Sequence, residues 1–311
     1  MKAVRFHEYG APDVLRYEDV EQPLPGAGEV RVRVAATSFN SVDGNIRGGF
    51  MRGPIPVVLP HTPGIDVAGT VDALGEGVDG VAVGDDAIGF LTMDGDGAAA
   101  EYVLAPAEAL APAPRSVPLA DVAAVPVVGL TAYQTLFNRG RLTAGQRVLI
   151  NGAGGTVGGY AVQLAKDAGA HVIATSSPRS REAVASAGDD EIIDHTTTDV
   201  TAAVTEPVDI ALSLAPVAPA ELAALVTLVR PGGVVVNTTV WMPAPGDEER
   251  GVRGIDLFVR SDVDQLVALI VGGELRVAVT ERVALTELPA LHSRAAEGAV
   301  HGKVVVVPSA A

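Results

Sequence analysis

Residues 148–158 read VLINGAGGTVG, and residues 159–169 continue GYAVQLAKDAG. Three apolar residues run into glycines at 152, 154, 155 and 158, and a stretch with helical spacing of apolar positions follows. A strand, a glycine-rich turn and a helix in that order bring backbone N–H groups close to a pyrophosphate. The helix start, at about Thr156 to Gly158, points unpaired N–H groups and the positive end of the helix dipole at such a charge. Gly152, Gly155 and Gly158 are spaced GxxGxxG, and Gly152 with Gly154 begins a GxG. Two of these glycines allow close backbone approach, and the third lets the helix pack tightly on the strand. The plain alternative is a tight strand-to-helix turn with no ligand, so the surrounding sequence has to choose.

Around this turn the apolar segments VLI (148–150), HVIAT (171–175), EII (191–193), VDIAL (208–212) and GVVVN (233–237) alternate with helical stretches at 157–168, 180–187, 198–204 and 219–229. That alternation predicts βαβ units on a parallel sheet. The strands are apolar without a period of two, as expected when helices cover both faces. Upstream, 119–137 reads as a helix broken near Pro126. The first 115 residues have another pattern: EVRVRVAAT (29–37) alternates, and IDVAGTVDALG (65–75), DAIGF (86–90) and AAAEYVLAP (98–106) are short runs divided by turns. Such spacing predicts a β-rich, barrel-like or sandwich-like unit. After 260 come a helix at 262–271, strands RVAVT (276–280) and RVAL (282–285), a helix at 287–297 and the strand KVVVVP (303–308). These read as a return to the first unit. The expected organisation is a β-rich domain of 1–118 with 260–311, and an inserted α/β domain of 119–259.

Composition supports two packed domains: 311 residues, 48% hydrophobic, with Gly and Pro spread along the chain. A net charge of −16 repels phosphate backbones and anionic lipid, so neither nucleic acid nor membrane is an expected partner. No cysteine occurs, which removes disulfides, thiolate metal sites and cysteine nucleophiles together. The N-terminal MKAVRFHEYG reads as a strand and not as an apolar signal, and no apolar run approaches the ~20 residues of a membrane helix. The expectation is a cytoplasmic protein.

In NAD-binding Rossmann units an acidic residue about 20 positions beyond the glycines accepts the ribose 2′-hydroxyl. Here that strand ends in ATSSPRSRE (174–182), with no acid between Asp167 and Glu182. Thr175, Ser176 and Ser177, with Arg179 and Arg181, stand there instead. Hydroxyl donors and a guanidinium suit a 2′-phosphate dianion, which a carboxylate would repel. NADP(H) is the expected cofactor; a solvated Ser/Arg loop is the alternative.

Several further stretches carry a resemblance. FNSVDGNIRGG (39–49), PGIDVAGTV (63–71), VGDDAIGF (83–90), AEYVLAPAEAL (100–110), LTAYQTLF (130–137), GAGGTVGGYAVQLAK (152–166), RPGG (230–233) and HGKVVV (301–306) span nearly the whole chain. Together they resemble the zinc-independent, zeta-crystallin-like quinone oxidoreductases of the medium-chain dehydrogenase/reductase superfamily. The resemblance implies a doubly wound Rossmann domain inserted in a GroES-like catalytic domain. Zinc-dependent relatives carry a Cys near Asn40 and a His-Glu pair where this chain has Ile65-Asp66, together with a four-Cys lobe absent here. No metal is therefore expected, and His61 reads as a loop residue.

By position, the resemblance implies Asn40 and Thr131 near the nicotinamide, with Asn40 also the one candidate catalytic residue. It implies Gly155, Thr156 and Val157 at the pyrophosphate, and Ser177 and Arg179 at the 2′-phosphate. Leu214 and Ala215 would pass under the nicotinamide ribose. Phe258, Val259 and Lys303 would close over the cofactor, although Phe258 also reads as a core aromatic and Lys303 as an exposed strand end. His195 stands where relatives have a tyrosine by the adenosine phosphate; it either donates to that phosphate or caps the following helix. Relatives often carry a tyrosine after Asn40, whereas this chain reads GNIRGGFM with Asn45 and Arg47. Asp43 reads as a structural anchor of its loop.

Reduction of an isolated ketone builds charge on one oxygen and calls for a Lewis acid or a placed proton donor. A quinone or an α,β-unsaturated carbonyl spreads that charge, so oriented stacking on the nicotinamide largely suffices. The expected reaction is hydride transfer from NADPH to such a conjugated small molecule, with enoyl or alkenal reduction as the alternative. A NADPH-binding protein with little or no turnover is the reading from another class. The loop WMPAPGDEERG (241–251) is a candidate lid, in which Trp241 and Met242 cover a flat acceptor opposite Asn45, Phe50 and Met51; Trp241 as a core or oligomer contact is the other reading. By analogy the last sheet strand, around 254–260, pairs edge to edge in a homodimer.

Overall fold

The computed structural model describes residues 1–239, 241–271 and 275–308. The chain forms two compact units, Met1–Val127 with Ser261–Ala311, and Val128–Arg260.

In the first unit, β1 (Lys2–Phe6) and β2 (Leu15–Asp19) pair as an antiparallel hairpin. The central strand is β3 (Glu29–Ser38), where Val30, Val32 and Val34 are buried while Arg31 and Arg33 face outward, as the period of two predicts. Helix α1 (Ser41–Arg47) follows, then β4 (Asp66–Leu74), β5 (Asp86–Phe90), β6 (Tyr102–Pro106), β7 (Leu110–Pro112) and α2 (Leu119–Val122). Although α2 lies beyond the change of pattern at Pro118, it packs on β3 and β4 and so belongs to the first unit.

The second unit begins within α3 (Pro126–Tyr133), whose last turn widens into a π-helical turn over Gln134–Arg139. Alternation then runs β8 (Arg147–Asn151), α4 (Thr156–Asp167), β9 (His171–Ser176), α5 (Arg181–Ala187), β10 (Glu191–Asp194), α6 (Val200–Ala203), β11 (Val208–Ser213), α7 (Pro219–Leu228), β12 (Val229–Asn237) and β13 (Arg253–Asp256). Every pairing is parallel, and the order is β10-β9-β8-β11-β12-β13. This is the doubly wound Rossmann order, and the connection reverses direction between β8 and β11, where ligands bind in such sheets. Leu149, Ile173, Ala211 and Val235, one from each central strand, are fully buried, as expected for a sheet covered on both faces.

The chain then returns to the first unit with α8 (Val263–Val271), β14 (Glu281–Ala284), α9 (Leu288–Ala296) and β15 (Val304–Val307). β15 pairs antiparallel with the end of β3, with Val305 opposite Ser38 and Val306 opposite Thr37, so the sheet runs β14-β15-β3-β4-β5-β7, with β6 also on β3. Residues 276–280, expected as a strand, form none. They keep the alternating burial of one, but a single bond from Thr280 N to Lys303 O does not make a ladder.

Candidate functional site

The glycine-rich turn lies at the C-terminal end of β8, beside the switch point. Gly152 adopts φ +98°, and a Cβ there would stand 3.0 Å from both N and Cβ of Ala215. Gly158 is packed harder: a Cβ would lie 2.3 Å from Gly152 O and 2.5 Å from Ala153 Cα. Only glycine lets α4 start this close to the turn. Gly154 and Gly155 are exposed, so their backbone is open to a ligand, and Thr156 and Val157 begin α4 with the unpaired N–H groups of a first helical turn. Exposed glycine backbone beside the unpaired N–H groups of a helix start fits a pyrophosphate.

Thr175 is buried and serves the turn itself: its hydroxyl donates to Asn151 Oδ1 (3.1 Å) and accepts from Gly152 N (2.9 Å). The Ser176 hydroxyl is buried with no hydrogen-bond partner among the described residues. Ser177 is half-buried and bonded through N and Oγ to Ser180 Oγ (3.2 and 3.3 Å), while Arg179 is exposed. Ser180 escaped the sequence reading. Its hydroxyl would lie 2.3 Å from a Cβ at Gly154, so it ties the loop after β9 to the glycine-rich turn. Its place directly before Arg181, the N-cap position of α5 where serine is favoured, was the available signal. His195 is exposed, and its backbone N donates to Ser176 O (3.1 Å). Leu214 N donates to Asn151 O (2.9 Å), which brings Leu214 and Ala215 against Gly152. Thr131 is buried, and its carbonyl accepts from the Thr135 hydroxyl. Phe258 is exposed and Val259 half-buried, just beyond β13.

The first unit holds a second polar centre. Asn40 caps α1, and its backbone N donates to Asp43 Oδ2 (2.9 Å). Asp43 Oδ1 accepts from Gly64 N (3.2 Å), so this carboxylate anchors two loops, and burial pushes it up to about 7. Asp66, at the start of β4, is fully buried. Its Oδ1 accepts from Val127 N (2.8 Å), and its Oδ2 accepts from the Ser38 hydroxyl, from Asn40 Nδ2 (2.9 Å) and from Lys303 Nζ (3.2 Å). Lys303 also donates to Asn40 Oδ1 (2.6 Å) and to Phe39 O (3.4 Å). Far from being an exposed strand end, Lys303 is 2% exposed, carried in by the pairing of β15 with β3. The pairing of Lys303 with Asp66 was not read from the sequence, although each is a lone charge bordering an apolar run, IDVAG or KVVVV.

These groups do not fit a zinc ion. The one carboxylate that replaces the relatives' Glu already has four donors, and the chain has no thiolate. Among the described residues no group of three or more His, Cys, Asp or Glu converges on a metal position. His61 is a buried loop residue, edge-on to Phe6 at 5.2 Å, and burial lowers its pKa.

The expected acceptor-pocket residues are divided between the units. On the first, Asn45 is half-buried on α1 and Phe50 is exposed, but Met51 is 2% exposed and packs in the core with Phe6, Ile46 and Ile55. Its side chain is therefore core and presents no pocket wall, because GGFM turns Phe50 outward and the next residue inward. On the second unit Trp241 is exposed and Met242 half-buried against the sheet core. The Asn237 amide donates to Thr239 O (2.9 Å) and Met242 O (2.8 Å), which holds the loop that carries both.

Fold and site together define a two-domain oxidoreductase with a nicotinamide-nucleotide domain. Family models agree: the alcohol dehydrogenase GroES-like domain matches residues 26–115, and the zinc-binding dehydrogenase model matches 187–306. A chloroplastic quinone oxidoreductase of Triphysaria versicolor is 30% identical over 99% of this chain and 98% of its own length. A chloroplast envelope quinone oxidoreductase homolog of Arabidopsis thaliana is 40% identical over 63% of this chain, and the match spans 62% of that relative. Among solved structures, the quinone oxidoreductase of Coxiella burnetii superimposes with a TM-score of 0.90 at 28% identity, covering 99% of each chain. A mycobacterial protein complexed with NADPH does so at 0.83 and 26%, covering 99% of this chain and 100% of that one. The chain belongs to the quinone oxidoreductase family of the medium-chain dehydrogenase/reductases. No helix among the described residues is long and apolar enough to cross a membrane.

Proposed function

We propose that this protein is an NADPH-dependent, zinc-independent reductase acting on a quinone or another conjugated carbonyl. The observation that carries the reading is the Asn40–Asp66–Lys303 centre, whose carboxylate is saturated by protein donors and offers no seat for a Lewis acid. An acceptor that delocalises its own developing charge is the chemistry such a centre can serve. The reduced nicotinamide supplies the hydride when bound. The N–H groups at the start of α4 bind the pyrophosphate, and Ser177 with Arg179 binds the 2′-phosphate, in a stretch with no acid between Asp167 and Glu182. Exposed Trp241, on the unit that carries the glycine-rich turn, supplies flat apolar surface for the acceptor. In this reading the Asn40 amide orients the acceptor oxygen, while the proton comes from water.

The near-ultraviolet absorbance of NADPH, followed with phenanthrenequinone, benzoquinones, enals and enoyl thioesters, tests this reading. Oxidation with quinones above the enals and thioesters is the expected result. Tight NADPH binding with no oxidation by any acceptor would mean a binding protein without turnover. Arg179→Ala should raise Kd for NADPH about ten-fold or more and barely alter Kd for NADH, since a charge-assisted contact to the 2′-phosphate is lost. Equal losses for both cofactors would contradict the assignment.

A further inference from the structure

A primary amide has a polarity, and in this protein both ends of the Asn40 amide are read by buried charges. Lys303 Nζ donates to Oδ1 at 2.6 Å, and Nδ2 donates to Asp66 Oδ2 at 2.9 Å. Turning the amide over would set donor against donor at the ammonium and acceptor against acceptor at the carboxylate, so one orientation is enforced. The remaining Nδ2 hydrogen is held far less well, by Ser38 O at 3.4 Å. It belongs to the least enclosed of the three side chains: Asn40 is 7% exposed, against 2% for Lys303 and 0% for Asp66. A cation on the amide oxygen draws electron density from nitrogen and makes that N–H a stronger donor, an effect enlarged where water is excluded.

We propose that Lys303 is a positioning residue that acts on the reacting centre through Asn40. It fixes the orientation of the amide and polarises it, so that the loosely held N–H is offered to the acceptor oxygen on which charge develops. Asp66 is the counter-charge that keeps the ammonium in place. This role rests on the reductase reading, and it replaces direct contact of Lys303 with the cofactor.

The test uses the full-length wild type, N40A, K303M, the N40A/K303M double variant, and D66N/K303M. The last removes both charges and so avoids the uncompensated buried carboxylate that could unfold K303M. K303M and D66N/K303M should each lower kcat about ten- to a hundred-fold, while Kd for NADPH and KM for the quinone stay within about three-fold. On the N40A background K303M should change kcat by less than about two-fold, because the group through which it acts is gone. The same kcat loss on that background, or a Kd for NADPH rising in step with the kcat loss, overturns the proposal. The side-chain amide proton pair of Asn40, identified in a nitrogen-15 NMR spectrum as the pair missing from N40A, gives a readout independent of turnover. Replacing Lys303 should shift it. If the wild type reduces no acceptor, the reductase reading fails and the role of Lys303 in turnover fails with it; in an active wild type, an Asn40 pair that K303M leaves in place overturns the positioning role alone.

Discussion

Asp43 and His292 line one small cavity of the first unit together with Thr37 and Ser38, and burial displaces their ionisation in opposite senses. Asp43 rises from its ordinary 3.8 to about 7, so between those values the folded chain keeps a proton that the unfolded chain releases. Stability from this group therefore falls as pH rises through that window. His292 drops from 6.5 to about 3, with its Nδ1 buried and lacking a hydrogen-bond partner among the described residues. There the unfolded chain binds the extra proton, and stability falls as pH decreases from 6.5 towards 3. Urea midpoints across this range should show His292→Leu losing less stability on the acid side than the wild type, and Asp43→Asn losing less towards neutrality. Slopes identical to the wild type would show that neither burial is felt. The anchoring role of Asp43 is visible in the sequence because it stands three residues after the helix cap Asn40; the burial of His292 is not, since an isolated histidine in LHSRAAEG looks like any surface helix residue.

At the scale of elements, α4 shows how a local motif becomes a site. Its first turn is pressed on the glycine-rich loop so closely that Gly158→Ala must push the helix away from Gly152 O and Ala153. That overpacking should cost about 1–3 kcal/mol and weaken NADPH binding, read together from thermal melts and from quenching of protein fluorescence by NADPH. A melt unchanged from the wild type would mean that the turn is slack. The strand-turn-helix unit was legible because each of its signals is local: apolar run, glycines, amphipathic stretch. The stretch 276–280 shows the reverse. Alternating RVAVT satisfies every local condition for a strand, but β14 takes the place beside β15, and a strand exists only where a partner's ladder is free.

For the molecule as a whole, the discontinuity of the first unit is the governing fact. All the proposed phosphate-binding residues (152–158, 177, 179 and 195) lie in the continuous second unit, 128–260, so this segment should fold alone and bind 2′,5′-ADP. By contrast, 1–127 lacks β14 and β15, leaving Thr37 and Ser38 of β3 unpaired and Asp66 without its cation. Circular dichroism and titration of each fragment would check both; failure of 128–260 to fold would show that the insertion depends on its host.

The sequence by itself determined most element types, the return of the chain to its first domain, the glycine-rich strand-turn-helix and the lack of a thiolate, because these depend on residues near one another or on composition alone. Only the tertiary structure decided that Lys303 meets Asn40 and Asp66. That contact spans 263 positions and follows from the register of β15 on β3, a relation no local pattern encodes. It also decided that Met51 is core while Phe50 faces outward, because which of two adjacent apolar residues is buried is settled by what packs against them.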